Sequence, residues 1–124
     1  MIGADATFLI DFLRGEAKAV EWMAKNYDVL CLSENVVYEF LCGNLTESEI
    51  DRFFAFVSQF PVFSFNRNAA IKSSMMYREM KQKGKTVAHP DAMIAGTYLA
   101  NSVNRIVTRN RKHFENLPIR VMTY

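Results

Sequence analysis

Three carboxylates and one amide are the strongest candidates for chemistry in this sequence: Asp5, Glu39, Asp91 and Asn110. Carboxylate oxygens are the hard ligands that Mg²⁺ and Mn²⁺ prefer. Asp5 directly follows an apolar run at residues 1–4, and Asn110 follows a second run that ends at Thr108. If both runs are parallel strands, the two side chains lie at the same edge of the sheet, where open parallel sheets bind ligands.

Asp91 and Glu39 are placed by helices rather than strands. Pro90 suits the first turn of a helix, so Asp91 points back toward the strand-end edge. Glu39 lies away from the apolar stripe of its own helix. Each acid also has a simpler explanation when taken alone: Asp5 as a turn residue or N-cap, Asp91 as a first-turn acid favoured by the helix dipole, and Glu39 as a solvated surface residue.

Residue types for covalent catalysis are scarce. The only histidines are His89 and His113, and no Cys-His or Ser-His-Asp arrangement is evident. Cys31 and Cys42 lie in apolar surroundings without Cys-x-x-Cys spacing, which predicts that both are reduced core residues.

Alternating strands and helices must position the four side chains. Strand-like apolar runs occur at residues 1–4, 28–32, 62–65, 105–108 and 120–123, the last predicted to be an edge strand. Helical patterns separate them, which predicts an α/β fold with a parallel sheet. Ser33 is expected to cap one helix, and Thr46-x-x-Glu49 is a capping box that opens another.

Two helices have apolar stripes from which we predict their buried faces. The segment 16–27 presents Val20, Met23, Ala24 and Tyr27, and the helix after Thr46 presents Ile50, Phe53, Phe54 and Val57.

Length and composition predict one domain. The 124 residues are 50% hydrophobic, enough for a core without disulfides or a structural metal. The sequence contains no apolar stretch long enough for a membrane span and no signal-peptide pattern at its start, so we expect a cytoplasmic protein.

Charge is divided unevenly along the chain. Residues 1–66 hold four basic and ten acidic side chains, a balance of −6, whereas residues 67–124 hold eleven basic and three acidic ones, a balance of +8. This asymmetry fits a face that binds a polyanion such as RNA, or two patches that meet in a dimer. Solvated helix faces explain part of it equally well.

Four motifs, in order, resemble the PIN-domain family and particularly the toxin nucleases of VapBC pairs. They read Asp5-Ala6-Thr7-Phe8-Leu9-Ile10-Asp11, Val37-Tyr38-Glu39-Phe40-Leu41-x-Gly43, Asp91-Ala92-Met93-Ile94-Ala95 and Ile106-Val107-Thr108-Arg109-Asn110, with Phe114 following. No motif is specific alone, but together they cover nearly the whole chain. The resemblance implies a single PIN-like domain over residues 1–124, a three-layer α/β/α fold with a central, mostly parallel sheet of four or five strands.

The resemblance also implies a function. It predicts an endoribonuclease, the toxin of a toxin–antitoxin pair, in which Asp5, Glu39 and Asp91 bind Mg²⁺ or Mn²⁺ and a metal-activated water hydrolyses RNA. Asn110 would be a fourth catalytic residue that orients the water or the scissile phosphate. RNA, a small antitoxin protein and a second copy of the chain are the implied partners.

Substrate contacts are predicted around this edge, from Thr7, Thr108, Arg109, Arg111 and Lys112, although a loop that happens to be charged explains the three basic residues too. His113 is expected to make a loop hydrogen bond rather than act as a general acid. Asp11 and Glu16 are interpreted as helix surface.

Two positions depart from the family pattern. Ala6 stands where a threonine is common, and Asn110 stands where many members have a fourth aspartate. Asn110 therefore supports an alternative, a degenerate PIN domain that binds RNA or a protein without cleavage. A phosphatase of the haloacid-dehalogenase type is disfavoured, because Thr7 occupies the place of that family's second aspartate.

Overall fold

The computed structural model describes all residues from 1 to 124, and its centre is a five-stranded, wholly parallel sheet. The strands are β1 (Ile2–Ala4), β2 (Leu30–Ser33), β3 (Val62–Phe63), β4 (Arg105–Val107) and β5 (Arg120–Met122), in the order β3-β2-β1-β4-β5. The predicted parallel sheet is confirmed, with β5 at one edge as expected.

Six α-helices flank the sheet: α1 (Ala6–Leu13), α2 (Ala17–Asn26), α3 (Glu34–Leu41), α4 (Glu47–Val57), α5 (Arg67–Gln82) and α6 (His89–Ala100). The chain moves outward from β1 to β3 and then back to β4. Since connections between parallel strands are right-handed as a rule, this order puts α1 to α4 on one face and α5 with α6 on the other. The predicted three-layer α/β/α architecture is therefore confirmed. None of the helices has both the length and the apolar character needed to cross a membrane.

The strand order reverses beside β1. The chain moves from β1 outward to β2 and β3, then crosses back to place β4 on the other side of β1. Ala4 pairs with Val107 in the β1–β4 register, so the residues that follow, Asp5 and Thr108, emerge side by side. In open parallel sheets, such a reversal forms a crevice at the carboxyl ends of the strands.

Aromatic side chains fill the core on the α1 to α4 face. Phe8 packs edge-on against Trp22 at a centroid distance of 5.0 Å, and Phe40 stacks on Phe53 at 3.9 Å. Aromatic pairs of this kind stabilise beyond the area that they bury. The cluster fixes α1 and α3, the two helices on this face that carry candidate residues.

On the opposite face, α6 lies unusually close to its neighbours. Tyr98 is fully buried against Gly3, and its hydroxyl donates to the carbonyl oxygen of Ala4. A Cβ at Gly96 would overlap Ser73 of α5 and stand 2.8 Å from the Ser73 Cα. Only glycine permits this approach, which sets the position of α6 against α5.

The predicted caps are confirmed. The Ser33 hydroxyl accepts from the Val36 amide, and Thr46 and Glu49 form the reciprocal capping box. Both caps satisfy amide groups that a helix N-terminus leaves without partners.

Several predictions of buried faces and bounds were wrong. In α2 the buried residues are Ala19 and Met23, whereas Val20, Ala24 and Tyr27, also predicted to be buried, are exposed. The ring of Trp22 on the same helix packs against Phe8. In α4, Phe53 and Phe56 are buried and Phe54 is exposed.

Two further differences concern the start of a strand and one of the two cysteines. Residues 27–29 form a 3₁₀ turn, so the second strand begins at Leu30 rather than at residue 28. Cys31 is buried as predicted, and burial raises its thiol pKa to about 11. Cys42 is exposed, because it follows the last residue of α3 at the surface.

Candidate active site

Asp5 is held at the crevice with one oxygen bound and the other free. It is only 4% exposed and occupies the N-cap position of α1 without capping it. Its Oδ2 accepts hydrogen bonds from Thr7 at 2.9 Å and Thr108 at 2.7 Å. Oδ1 has no partner in the protein, and since no fully buried side-chain oxygen or nitrogen lacks a partner, Oδ1 must reach solvent.

Thr7 and Thr108 also fix the loop that follows β4. The Thr7 hydroxyl accepts from the backbone amide of Arg109 at 3.1 Å, and Thr108 accepts from that of Asn110 at 3.0 Å. Thr108 is fully buried. The two threonines, predicted as substrate contacts, thus position Asp5 against the β4 loop.

Glu39 and Asp91 come close enough to Asp5 for their charges to interact. The pKa of Glu39 is raised by burial first, then by the negative charges of Asp5 and Asp91. The pKa of Asp91 is raised by burial and by Asp5, against an opposing effect of His113. No lysine or arginine forms an ion pair with any of these three carboxylates. Like charges left unneutralised in a half-buried crevice are a typical feature of functional sites.

Helices α3 and α6, which carry Glu39 and Asp91, are tied together directly. The Thr97 hydroxyl on α6 donates to the side-chain oxygen of Asn35 on α3 at 3.1 Å. Asn35 lies one helical turn before Glu39, on the same side of α3. Asp91 follows Pro90 in the first turn of α6, as predicted.

The β4 loop brings a histidine and an amide to the same edge. His113 Nδ1 lies 3.6 Å from Asp91 Oδ2, an ion pair when the imidazole is protonated. The His113 side chain therefore faces Asp91, a candidate metal ligand, and does not make the hydrogen bond within the loop that was predicted. Asn110 is half-buried beside Thr108, and its side-chain amide makes no hydrogen bond within the protein.

Arg109 and Asp11 form an ion pair that the sequence did not predict. Arg109 donates to Asp11 Oδ1 at 2.8 Å, and the Tyr124 hydroxyl donates to Asp11 Oδ2 at 2.5 Å. Asp11 is 9% exposed, so its interpretation as helix surface was wrong. Glu16 is exposed as expected, and caps α2 by accepting from the amide of Ala19.

Arg111 and Lys112, the remaining basic side chains of the loop, make no ion pair within the protein and can meet a polyanion. Both are exposed and line an open depression of about 440 Å³, together with Arg109, Asn110, His113 and one acidic side chain, Glu115. A concave surface with several cations and no apolar side chain suits phosphate groups better than an apolar ligand.

The donor set fits a hard divalent cation. Free oxygens come from Asp5, Glu39, Asp91 and the amide of Asn110, with no thiolate nearby. No three His, Cys, Asp or Glu side chains, as they stand here, approach closely enough to coordinate one ion by themselves. Mg²⁺ commonly takes one or two carboxylates and completes its shell with water, so a closed protein cage is not required.

The protein is therefore an α/β domain with an open parallel sheet and an acidic crevice at the point where the strand order reverses. The sequence matches the PIN domain family over residues 4–119, and the chain belongs to that family. No curated protein matches it at a significant level.

Solved structures agree with the family assignment. VapBC from Salmonella typhimurium bound to DNA has 25% sequence identity and a TM-score of 0.84, with 99% of this chain and 98% of that one covered. FitAcB from Neisseria gonorrhoeae has 21% identity, a TM-score of 0.84 and coverage of 98% and 96%. A toxin–antitoxin complex from Klebsiella pneumoniae has 24% identity, a TM-score of 0.82 and coverage of 99% and 97%. The resemblance predicted from the four motifs is confirmed.

Proposed function

We propose that this chain is a metal-dependent endoribonuclease and the toxin of a toxin–antitoxin pair. The observation that carries the proposal is the approach of Asp5, Glu39 and Asp91 to one another at the reversal point of a PIN-domain sheet, without a neutralising lysine or arginine. Such a cluster favours a bound cation, because mutual repulsion of the carboxylates raises the free energy of the empty site.

Each residue has a distinct role in this proposal. Asp5, Glu39 and Asp91 bind Mg²⁺ or Mn²⁺, with Asp5 presenting Oδ1 while Thr7 and Thr108 hold Oδ2. A cation bound there would lower the pKa of a coordinated water and neutralise charge that develops on the phosphate. Asn110 lies where its amide can orient the water or the scissile phosphate.

The basic loop supports a polyanionic substrate. Arg111 and Lys112 are exposed in the same loop as His113, which faces Asp91, and can contact the phosphates that flank the scissile bond. Arg109 contributes less of its charge to RNA, because Asp11 already pairs with its guanidinium group.

An antitoxin partner is proposed from the solved neighbours, several of which are VapBC complexes. A cleft beside Glu39 offers a mixed surface that such a partner would cover, with apolar side chains (Ile10, Leu13, Phe40 and Leu45) next to charged ones (Arg14, Glu49 and Arg52). We also propose a homodimer. Light scattering across micromolar concentrations checks the dimer, and a monomer throughout that range would contradict it.

Cleavage of single-stranded RNA in the presence of Mn²⁺ tests the enzymatic proposal. Asp5→Asn and Asp91→Asn should each reduce the rate about 100-fold or more, since a metal supplies several kcal/mol and 1.4 kcal/mol is a factor of ten. Asp51→Asn, on the exposed surface of α4, is the matched control and should cleave at the wild-type rate. If Asp5→Asn and Asp91→Asn both cleave RNA at the wild-type rate, the proposed nuclease function is contradicted.

Asn110 favours one other function, an RNA- or protein-binding PIN domain that does not cleave. An amide in the place of a fourth carboxylate has the oxygen but lacks the charge. In that case the wild-type chain would bind RNA and leave it intact with Mn²⁺ or Mg²⁺. RNA cleavage would then be measured with Asn110→Asp, which restores the fourth carboxylate.

A further inference from the structure

A second cavity opens beside the carboxylates, and no residue of the basic loop lines it. It lies between α3 and α6, has a volume of about 360 Å³ and includes Glu39 in its lining. Pro90, which precedes Asp91, forms another part of its wall. Sites for small ligands typically occupy about 300 to 1,000 Å³, so the cavity is large enough for a compact planar group.

Two exposed aromatic side chains line this cavity. Tyr38 is 70% exposed on α3, next to Glu39, and Phe65 is 36% exposed in the loop between β3 and α5. Neither ring takes part in the aromatic pairs of the core. Exposed rings at the edge of a site that acts on nucleic acid are typical platforms for unpaired bases.

The charge of the cavity excludes phosphate and admits a neutral group. Glu34 and Glu39 both contribute to its lining, and no lysine or arginine does. The cations lie in the β4 loop, whose His113 faces Asp91 across the carboxylate cluster. A strand that crosses the cluster would therefore place its phosphates toward the loop and a base toward α3.

The geometry points to a base-binding site. We propose that the cavity between α3 and α6 receives an unpaired RNA base next to the cleaved phosphate, stacked on Tyr38 and Phe65. The inference rests on the proposed nuclease function and adds to it a binding site for one unpaired base of the RNA, formed by named side chains of α3 and of the loop before α5. Bases in a duplex cannot enter, because they remain stacked in the helix.

Binding to matched oligonucleotides tests this proposal. Two fluorescein-labelled eight-nucleotide probes, oligoadenylate and an abasic strand with the same phosphates, are titrated with protein in EDTA and followed by anisotropy. Tyr38→Ser and Phe65→Ser should each weaken binding of oligoadenylate about 5-fold to 100-fold, the range for loss of one stacking contact. Affinity for the abasic strand should not change.

Two control variants separate stacking from general effects. Tyr38→Phe retains the ring and should bind as the wild type does. Phe54→Ser removes a phenylalanine that is 53% exposed on α4, outside the cavity, and should also leave affinity unchanged.

The proposal is overturned if both serine variants bind oligoadenylate as the wild type does, or if they lose affinity for the abasic strand equally. A change of oligomeric mass in these variants would instead identify the surface as an interface between copies of the chain. Cleavage of the same RNA with Mn²⁺ is measured in parallel. Wild-type cleavage with unaltered binding in the variants rejects the base site alone, whereas a wild type that neither binds nor cleaves rejects the nuclease as well.

Discussion

The Thr108 hydroxyl donates a 2.7 Å hydrogen bond to Oδ2 of Asp5, although 103 residues separate the two in sequence. The β1–β4 register creates this contact by placing the two strand ends side by side. It leaves Asp5 with one oxygen fixed and the other open to solvent.

Thr108→Val tests the importance of that hydrogen bond. The variant removes a donor from a carboxylate that is 4% exposed, and should lower the free energy of unfolding by about 1 to 3 kcal/mol. Urea denaturation measures the change, and RNA cleavage should fall with it because Asp5 is less well oriented. Thr108→Ser retains the hydroxyl, so a similar loss in both variants would assign the effect to packing.

Gly96→Ala tests the close approach of α5 and α6. The added Cβ would overlap Ser73, and the nearby Ser73 Cα means that the backbone, not only a side chain, must move. We expect a loss of about 1 to 3 kcal/mol in the free energy of unfolding, the usual cost of overpacking. Ala100→Ser, a small change at the other end of α6, serves as a comparison. Wild-type stability in Gly96→Ala would show that the two helices separate readily.

The pH dependence of the metal-free protein follows from Glu39. Its pKa is raised above the ordinary value of 4.5, so the folded state binds the proton more tightly than the unfolded state does. Stability therefore falls as the pH rises from 4.5 through the raised pKa. Glu39→Gln should raise the free energy of unfolding in EDTA at pH 7 by up to about 1 kcal/mol. The gain should vanish below pH 4.5, and a gain of the same size at both values would contradict the electrostatic explanation.

Salt dependence distinguishes Arg109 from its neighbours in the β4 loop. Arg111→Met and Lys112→Met should each reduce the slope of log affinity for single-stranded RNA against log salt by about 0.7, the value for one phosphate contact. Arg109→Met should change the slope less and lower stability more, because its partner Asp11 is left nearly buried without a counter-ion. If all three variants change the slope equally, Arg109 contacts a phosphate as the sequence predicted, and its pairing with Asp11 does not reduce that contact.

Local patterns were sufficient to predict the order of elements and the edge at which Asp5, Asp91 and Asn110 lie, but they did not place Glu39. Strand-like runs followed by Asp5 and Asn110, together with Pro90 before Asp91, predicted the edge at which the structure brings these residues. The caps at Ser33 and Thr46 are equally local, since each depends on side chains within three residues of the helix start.

Features that depend on distant packing were not predictable in this way. In α2 the ring of Trp22 contacts Phe8, and Ala19 is buried beside it. The spacing of apolar residues alone predicted that Val20, one residue further along, would be buried instead. Asp11 had the appearance of a surface acid because its partners, Arg109 and Tyr124, are about a hundred residues distant.

Mn²⁺ binding, measured by titration calorimetry on the purified protein, tests the shared cation site most directly. The wild-type chain should bind Mn²⁺, Glu39→Gln and Asp91→Asn should each weaken binding at least about 10-fold, and Asp51→Asn should have the wild-type affinity. Equal affinity in all four proteins would contradict a cation site formed by Asp5, Glu39 and Asp91.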